Sequence, residues 1–253
     1  MPAYLGIGTA AVWSPEKDMT WHTLFYASGE EFRAQGYADG DDLTAVQDEF
    51  GADADNAVPA FVNANQEFRT GDAGVLGGRD HLWFANGGAV APPTGVAPLD
   101  TGAWSKSTTS GNYTVVMIWD SVDWSIRDQG LFYDSTTVAT LNCRTVSDGR
   151  MVVGDKFVLT SGVGSDGVHT LLVYSATGST TGYANYDGVL KLASTDFGMS
   201  APNGLRLCAN NTGGAQFYGG LALFGIYNGA ISAGDQTLLS DWSLARYGVA
   251  ISP

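Results

Sequence analysis

The chain has little of what most reactive sites are built from. Among 253 residues there are only 2 cysteines, Cys143 and Cys208, and 3 histidines, His22, His81 and His169. Two thiols so far apart pair only where adjacent strands bring them together, so no disulfide framework staples this fold, and free, partly buried thiols are expected. The histidines are isolated, none has a metal-ligand spacing such as H-E-x-x-H, and His22 and His169, in strand candidates, are expected to be partnered core or face residues. All glutamates lie at or before Glu67. There is no G-x-S-x-G elbow and no histidine close to either cysteine, so nucleophilic catalysis has no visible seat. The glycine-rich stretch from Gly71 to Gly78 lacks the lysine and helix that a phosphate cradle needs. Basic residues are also scarce: 12 Lys+Arg against 26 Asp+Glu give a net charge of −14. Such a surface repels a phosphate backbone and excludes nucleic acid as a partner. No run of about 18 apolar residues exists to span a membrane. The opening MPAYLGIGTAAVW lacks a basic n-region and an adequate h-region, so folding in a cytoplasm is expected.

What is abundant is glycine, at 34 residues, and apolar side chains, at 44%. Together they describe many short strands joined by tight turns around a large core, and the length suits one β-sandwich domain. Strands are predicted over Met19 to Ala27, Tyr113 to Trp119, Gly130 to Tyr133, Val138 to Val146, Lys156 to Thr160 and His169 to Tyr174, each bounded by Gly, Ser, Asp or Asn. Asp187-Gly188 is the strongest hairpin signal, because a two-residue turn needs positive φ and Asp-Gly tolerates it. Near the end, Leu205 and Leu207 alternate with polar neighbours, Asn210 to Gly214 offer a turn, and Tyr218 to Tyr227 supply a second apolar run. Ser232 then caps a helix whose apolar face is expected at Leu238, Leu239, Trp242 and Ala245, stopped by Gly248. Pro92-Pro93 marks a long surface loop. Residues 1–18 read as an arm or edge strand ahead of a domain spanning 19–253.

The closing segment, in order, is Gly220-Leu221-Ala222, Ile226-Tyr227-Asn228, Ala230-Ile231-Ser232 and Trp242 followed by Arg246-Tyr247-Gly248. This pattern resembles the concanavalin A-like, laminin-G-like jelly-roll domains, particularly those of bacteriophage structural proteins. An opening Asp39-Gly40-Asp41, Gln47-Asp48, Gly51 and Pro59-Ala60-Phe61, and the turn at Tyr186-Asp187-Gly188, are similar to the same family, although its usual tryptophan is replaced near the opening. The resemblance runs from roughly residue 35 to 248. It implies an all-β jelly-roll sandwich with one short C-terminal helix. It also implies a non-enzymatic virion component, a minor tail or capsid decoration protein, assembled in the host cytoplasm. Such a domain docks on other virion proteins, here through the N-terminal segment, and displays a surface for host glycan. No coiled-coil or β-helix repeat specifies an oligomer, so a homo-oligomer stays open. The alternatives are a carbohydrate-binding module or a glycan-active enzyme of the same superfamily.

The enzymes of that family place glutamates and an aspartate on one strand, and the later strands here contain no glutamate. Asp123 and Asp128 beside Trp124 sit in a turn-rich segment that does not put both on one strand face. Asp39, Asp41 and Asp42 concentrate hard oxygen ligands and are the candidates for calcium, but they lack the EF-hand order and read first as a solvated acidic face. For sugar stacking, Trp21, Trp119 and Tyr174 are assigned to the core. Trp124, Tyr183 and Tyr186 have polar or turn neighbours and are the candidate exposed rings.

Overall fold

The computed structural model describes residues 13–50, 57–59, 66–70, 75–84, 99–104, 111–122, 129–135, 141–145, 150–159, 166–208 and 217–253. Their strands form two antiparallel sheets. The first runs, edge to edge, β13 (Val189–Thr195), β12 (Gly182–Tyr186), β11 (Gly167–Ala176), β6 (Asn112–Ser121), β15 (Gly219–Asn228), β4 (His81–Phe84) and β3 (Gln66–Arg69). β15 pairs with β6 along its whole length; its other side takes β4 at the start and β1 (Thr23–Tyr26) at the end. The second sheet runs β10 (Lys156–Leu159), β9 (Met151–Val153), β8 (Asn142–Thr145), β7 (Gly130–Tyr133), β14 (Gly204–Leu207), β5 (Leu99–Ala103) and β2 (Val58–Pro59).

The central strands are apolar at consecutive positions because the first sheet is buried on both faces. Tyr113, Val115, Met117 and Trp119 of β6 point between the sheets, whereas Val116 and Ile118 point outward into a second core. Trp21, Leu24, Tyr26, Leu239, Tyr247 and Ile251 complete that outer core, supplied by the N-terminal segment, β1, the C-terminal helix and the tail. Across the inner core Phe132 of β7 meets Phe224 of β15, ring centroids 5.2 Å apart and both side chains fully buried. Burial of each contributes ~1.5–3 kcal/mol.

β15 serves both cores through a bulge. Leu221 pairs with Trp119 and Leu223 with Ile118, so Ala222 is an extra residue. Leu221 therefore faces inward, Ala222 and Leu223 outward, and Phe224 and Ile226 inward again.

Helix α3 (Ala233–Tyr247) starts and stops as expected: Ser232 Oγ accepts from Asp235 N at 3.1 Å, and Gly248 takes φ 80° with its N–H on the Leu244 carbonyl. Its buried face corrects the expected one. Leu239, Ser240, Ser243 and Tyr247 are buried and Trp242 is half-buried, while Ala245 is exposed and Leu238 is 44% exposed. The reason is the chain's tail, which folds back along the helix. Ser240 Oγ donates to the Ser252 carbonyl at 2.9 Å and Ser243 Oγ to that of Val249 at 2.7 Å, so two small hydroxyls take positions that an apolar count gives to carbon.

Two short helices, α1 (Pro15–Asp18) and α2 (Glu30–Ala34), add to the single helix expected. In the N-terminal segment Pro15 is buried and its carbonyl accepts from Trp21 Nε1 at 2.9 Å. Residues 13–18 thus pack onto the sandwich; residues 1–12, the Asn210 to Gly214 turn and Pro92-Pro93 lie outside the described residues. Cys143 and Cys208 are both buried and free, and burial pushes each thiol's pKa up.

Candidate functional site

The hairpin at Asp187-Gly188 positions the site. Tyr186 pairs with Val189, and the two turn residues have φ 49° and 71°, a tight two-residue turn that Gly188 makes without strain. Strand alternation then separates the two candidate tyrosines. Ala184 and Tyr186 point into the inner core, and Tyr183 packs against the outer one.

Tyr186 is therefore not the exposed ring expected. It is 6% exposed, stacks on His169 with centroids 5.3 Å apart, and its hydroxyl lies 2.8 Å from His169 Nδ1. That nitrogen is also 3.0 Å from Asp187 Oδ2, so the histidine is partnered inside the fold. Burial pushes the Tyr186 phenol up and keeps it protonated. Trp124 lies outside the described residues, as do Asp123 and Asp128.

Tyr183 is half-buried, with its ring centroid 5.5 Å from that of Tyr174. Its hydroxyl accepts from Gln236 Nε2 at 2.7 Å, which leaves its own proton to donate elsewhere. The same Nε2 donates to the Ile231 carbonyl at 2.9 Å, fixing the carboxamide between strand and helix. Burial raises the Tyr183 pKa, so this proton is present at neutral pH. One pleat along β12 on the same face is Asn185, 3% exposed, and its buried Oδ1 has no hydrogen-bond partner among the described residues. These residues line a cleft of about 420 Å³. Thr181 and Ser194 add hydroxyls, while Leu190 and Ala193 of β13, with Pro253, add apolar wall. Such a site offers a buried acceptor, a phenolic donor and a hydrocarbon surface at once.

Asn185 and Gln236 escaped the sequence reading. Alternation did place Asn185 beside Tyr183, but nothing in the sequence says that a strand asparagine will lack a partner.

The calcium candidates are engaged in turns. Asp39 Oδ1 accepts from Thr70 N at 2.8 Å, Asp41 Oδ2 from Ala38 N at 2.7 Å, and Asp42 forms an isolated β-bridge with Glu67. Among the described residues no group of three or more His, Cys, Asp or Glu is placed to hold a metal. The buried carboxylates are others, and each accepts from backbone. Asp48 takes the N–H groups of Leu24 and Phe50 at 2.9 and 3.0 Å, Asp120 that of Leu76 at 2.7 Å, and Asp134 that of Asn203 at 2.8 Å. Burial raises the Asp120 pKa against the Leu76 hydrogen bond. Satisfied in this way, they pin loops to strands.

A second groove, of about 410 Å³, runs along the outer side of α3 between Trp13 and Trp242, with Arg79 and Arg246 at its margins and exposed Leu238 in its wall.

No family model and no curated protein sequence matches the chain. Solved structures do. The sialidase of Trypanosoma rangeli in complex with sialic acid superposes with a TM-score of 0.53 at 11% identity, covering 91% of this chain and 33% of that one. The same enzyme in complex with the inhibitor DANA gives 0.54 at 12%, covering 86% and 32%. The likeness is one of fold. The chain is an all-β sandwich of two antiparallel sheets with a C-terminal helix, and it spans about a third of the length of those sialidases.

Proposed function

We propose that this chain is a non-enzymatic, lectin-like sandwich that binds glycan and is displayed on a bacteriophage virion as a minor tail or capsid decoration protein. The observation that carries the glycan reading is the Tyr183 cleft, where an aromatic ring and aliphatic wall stand beside Asn185 Oδ1, a buried acceptor without a partner among the described residues. Sugars present that combination, hydroxyl donors around a ring with an apolar C–H face. The virion setting is supported by the closing motif, whose residues form the long final strand β15 and the capped helix α3. Attachment to other virion proteins falls to the N-terminal segment, which reaches the sandwich at Trp13 on the rim of the α3 groove.

A glycan array probed with the full chain tests the binding reading. Retention of a defined set of glycans, lost in Tyr183→Ala, is the expected result; an array without any retained glycan overturns it. Turnover of an arrayed glycan would instead favour an enzyme. Immunogold labelling of particles tests the setting, and label on tail or capsid is expected.

A further inference from the structure

We infer that the Tyr183 cleft takes a neutral sugar ring and rejects acidic ones, an inference that rests on the glycan-binding reading above. Asn185 is 3% exposed and, among the described residues, its buried Oδ1 has no hydrogen-bond partner, so a ligand that reaches it has to present a donor there. A sugar hydroxyl does so; a carboxylate is acceptor-only and would set one oxygen against another. The Tyr183 hydroxyl, already accepting from Gln236, has a proton to give to a ring or hydroxyl oxygen. Together these groups offer a sugar ring one acceptor and one donor.

Charge points the same way. Among the described residues no lysine or arginine lines the cleft, and the chain as a whole carries −14, so an anionic sugar finds neither a counter-ion in that lining nor a favourable field. Leu190, 50% exposed on the edge strand, and Ala193 give the C–H face of a pyranose its contact. A volume of about 420 Å³ lies within the range of small-ligand sites.

The test uses the 15N-labelled full chain titrated with methyl glycosides of glucose, galactose and mannose, with the best neutral array ligand, and with N-acetylneuraminic and glucuronic acids. A neutral probe is expected to shift the side-chain amide resonances of Asn185 and Gln236, and the acids to leave them unmoved. Asn185→Leu should weaken the neutral ligand about tenfold or more, because it removes the acceptor while keeping the bulk. Should that variant not fold, Ala193→Arg, on the exposed rim, fills the cleft from outside and should lose binding equally. Tighter binding of an acid at these amides overturns the inference but leaves glycan binding standing. So does glycan binding that neither variant weakens. Absence of binding by every probe and every arrayed glycan overturns both.

Discussion

Replacing Asn185 with leucine should make the protein more stable while removing its sugar contact. Asn185 sits between Leu172 of β11 and Leu190 of β13, directly opposite each in the ladder, and it is 3% exposed. Its Oδ1 has given up water without gaining a donor among the described residues, a loss of ~1–3 kcal/mol. Leucine is of similar size, removes the unmatched acceptor and meets two leucines across the strands, each such pair contributing ~0.2–1 kcal/mol. Counting the removal of the unmatched acceptor alone, the gain is roughly 1–3 kcal/mol. With a urea slope of about 3 kcal/mol/M, the unfolding midpoint should rise by roughly 0.3–1 M at unchanged slope. Equilibrium urea denaturation followed by tryptophan fluorescence reads this directly. A midpoint that falls would refute the reasoning, because it would mean that Oδ1 is satisfied in the unliganded protein.

Three further outcomes are expected. The Glu49 carboxyl accepts from the N–H groups of Glu31 and Phe32 at 3.0 and 3.1 Å, yet burial, with the nearby charges of Glu16 and Glu31 adding to it, raises its pKa from 4.5 to about 7. A carboxyl whose pKa is higher folded than unfolded stabilises most below pH ~4.5 and loses that contribution as pH climbs towards 7, so Glu49→Gln should flatten this part of the wild-type decline in Tm; parallel curves would contradict the assignment. In Gly225→Ala the new Cβ would lie 2.7 Å from the Trp21 ring, an overpacking cost of ~1–3 kcal/mol, and calorimetry should show a Tm lower by several degrees. Removing residues 1–12 should abolish incorporation into particles while circular dichroism still shows a folded sandwich, and normal incorporation would end the docking proposal. Cutting after Asp18 should in addition lower Tm, since it deletes the Pro15 carbonyl that holds Trp21.

Local chemistry made much of the sandwich legible. Apolar runs bounded by turn residues gave β6, β7 and β11 to within a few residues, because each is a strand whose burial the side chains themselves announce. Asp187-Gly188 and Ser232 were readable because their roles are set within two or three residues of chain. What was not readable depends on contacts distant in sequence. The helix face was misplaced because Ser240 and Ser243 are buried by a tail that no helical periodicity contains. Tyr186 looked exposed beside a polar turn, yet pairing with Leu171 carries it between the sheets to His169. The cleft joins Tyr183 and Asn185 to Gln236, some fifty residues later, and only the packing of α3 against β12 makes them one site.

The extra residue at Ala222 works as a phase slip. Upstream of it, Leu221 addresses the inner core from an odd-numbered position; downstream, the even-numbered Phe224 and Ile226 do. One inserted residue therefore lets a single strand satisfy two apolar layers that demand opposite parity. It also makes β15 unusually intolerant of length change: losing Ala222 would turn Phe224 and Ile226 away from Phe132 and toward the helix, inverting the whole distal half of the strand, whereas the same deletion in a loop would shift nothing beyond itself.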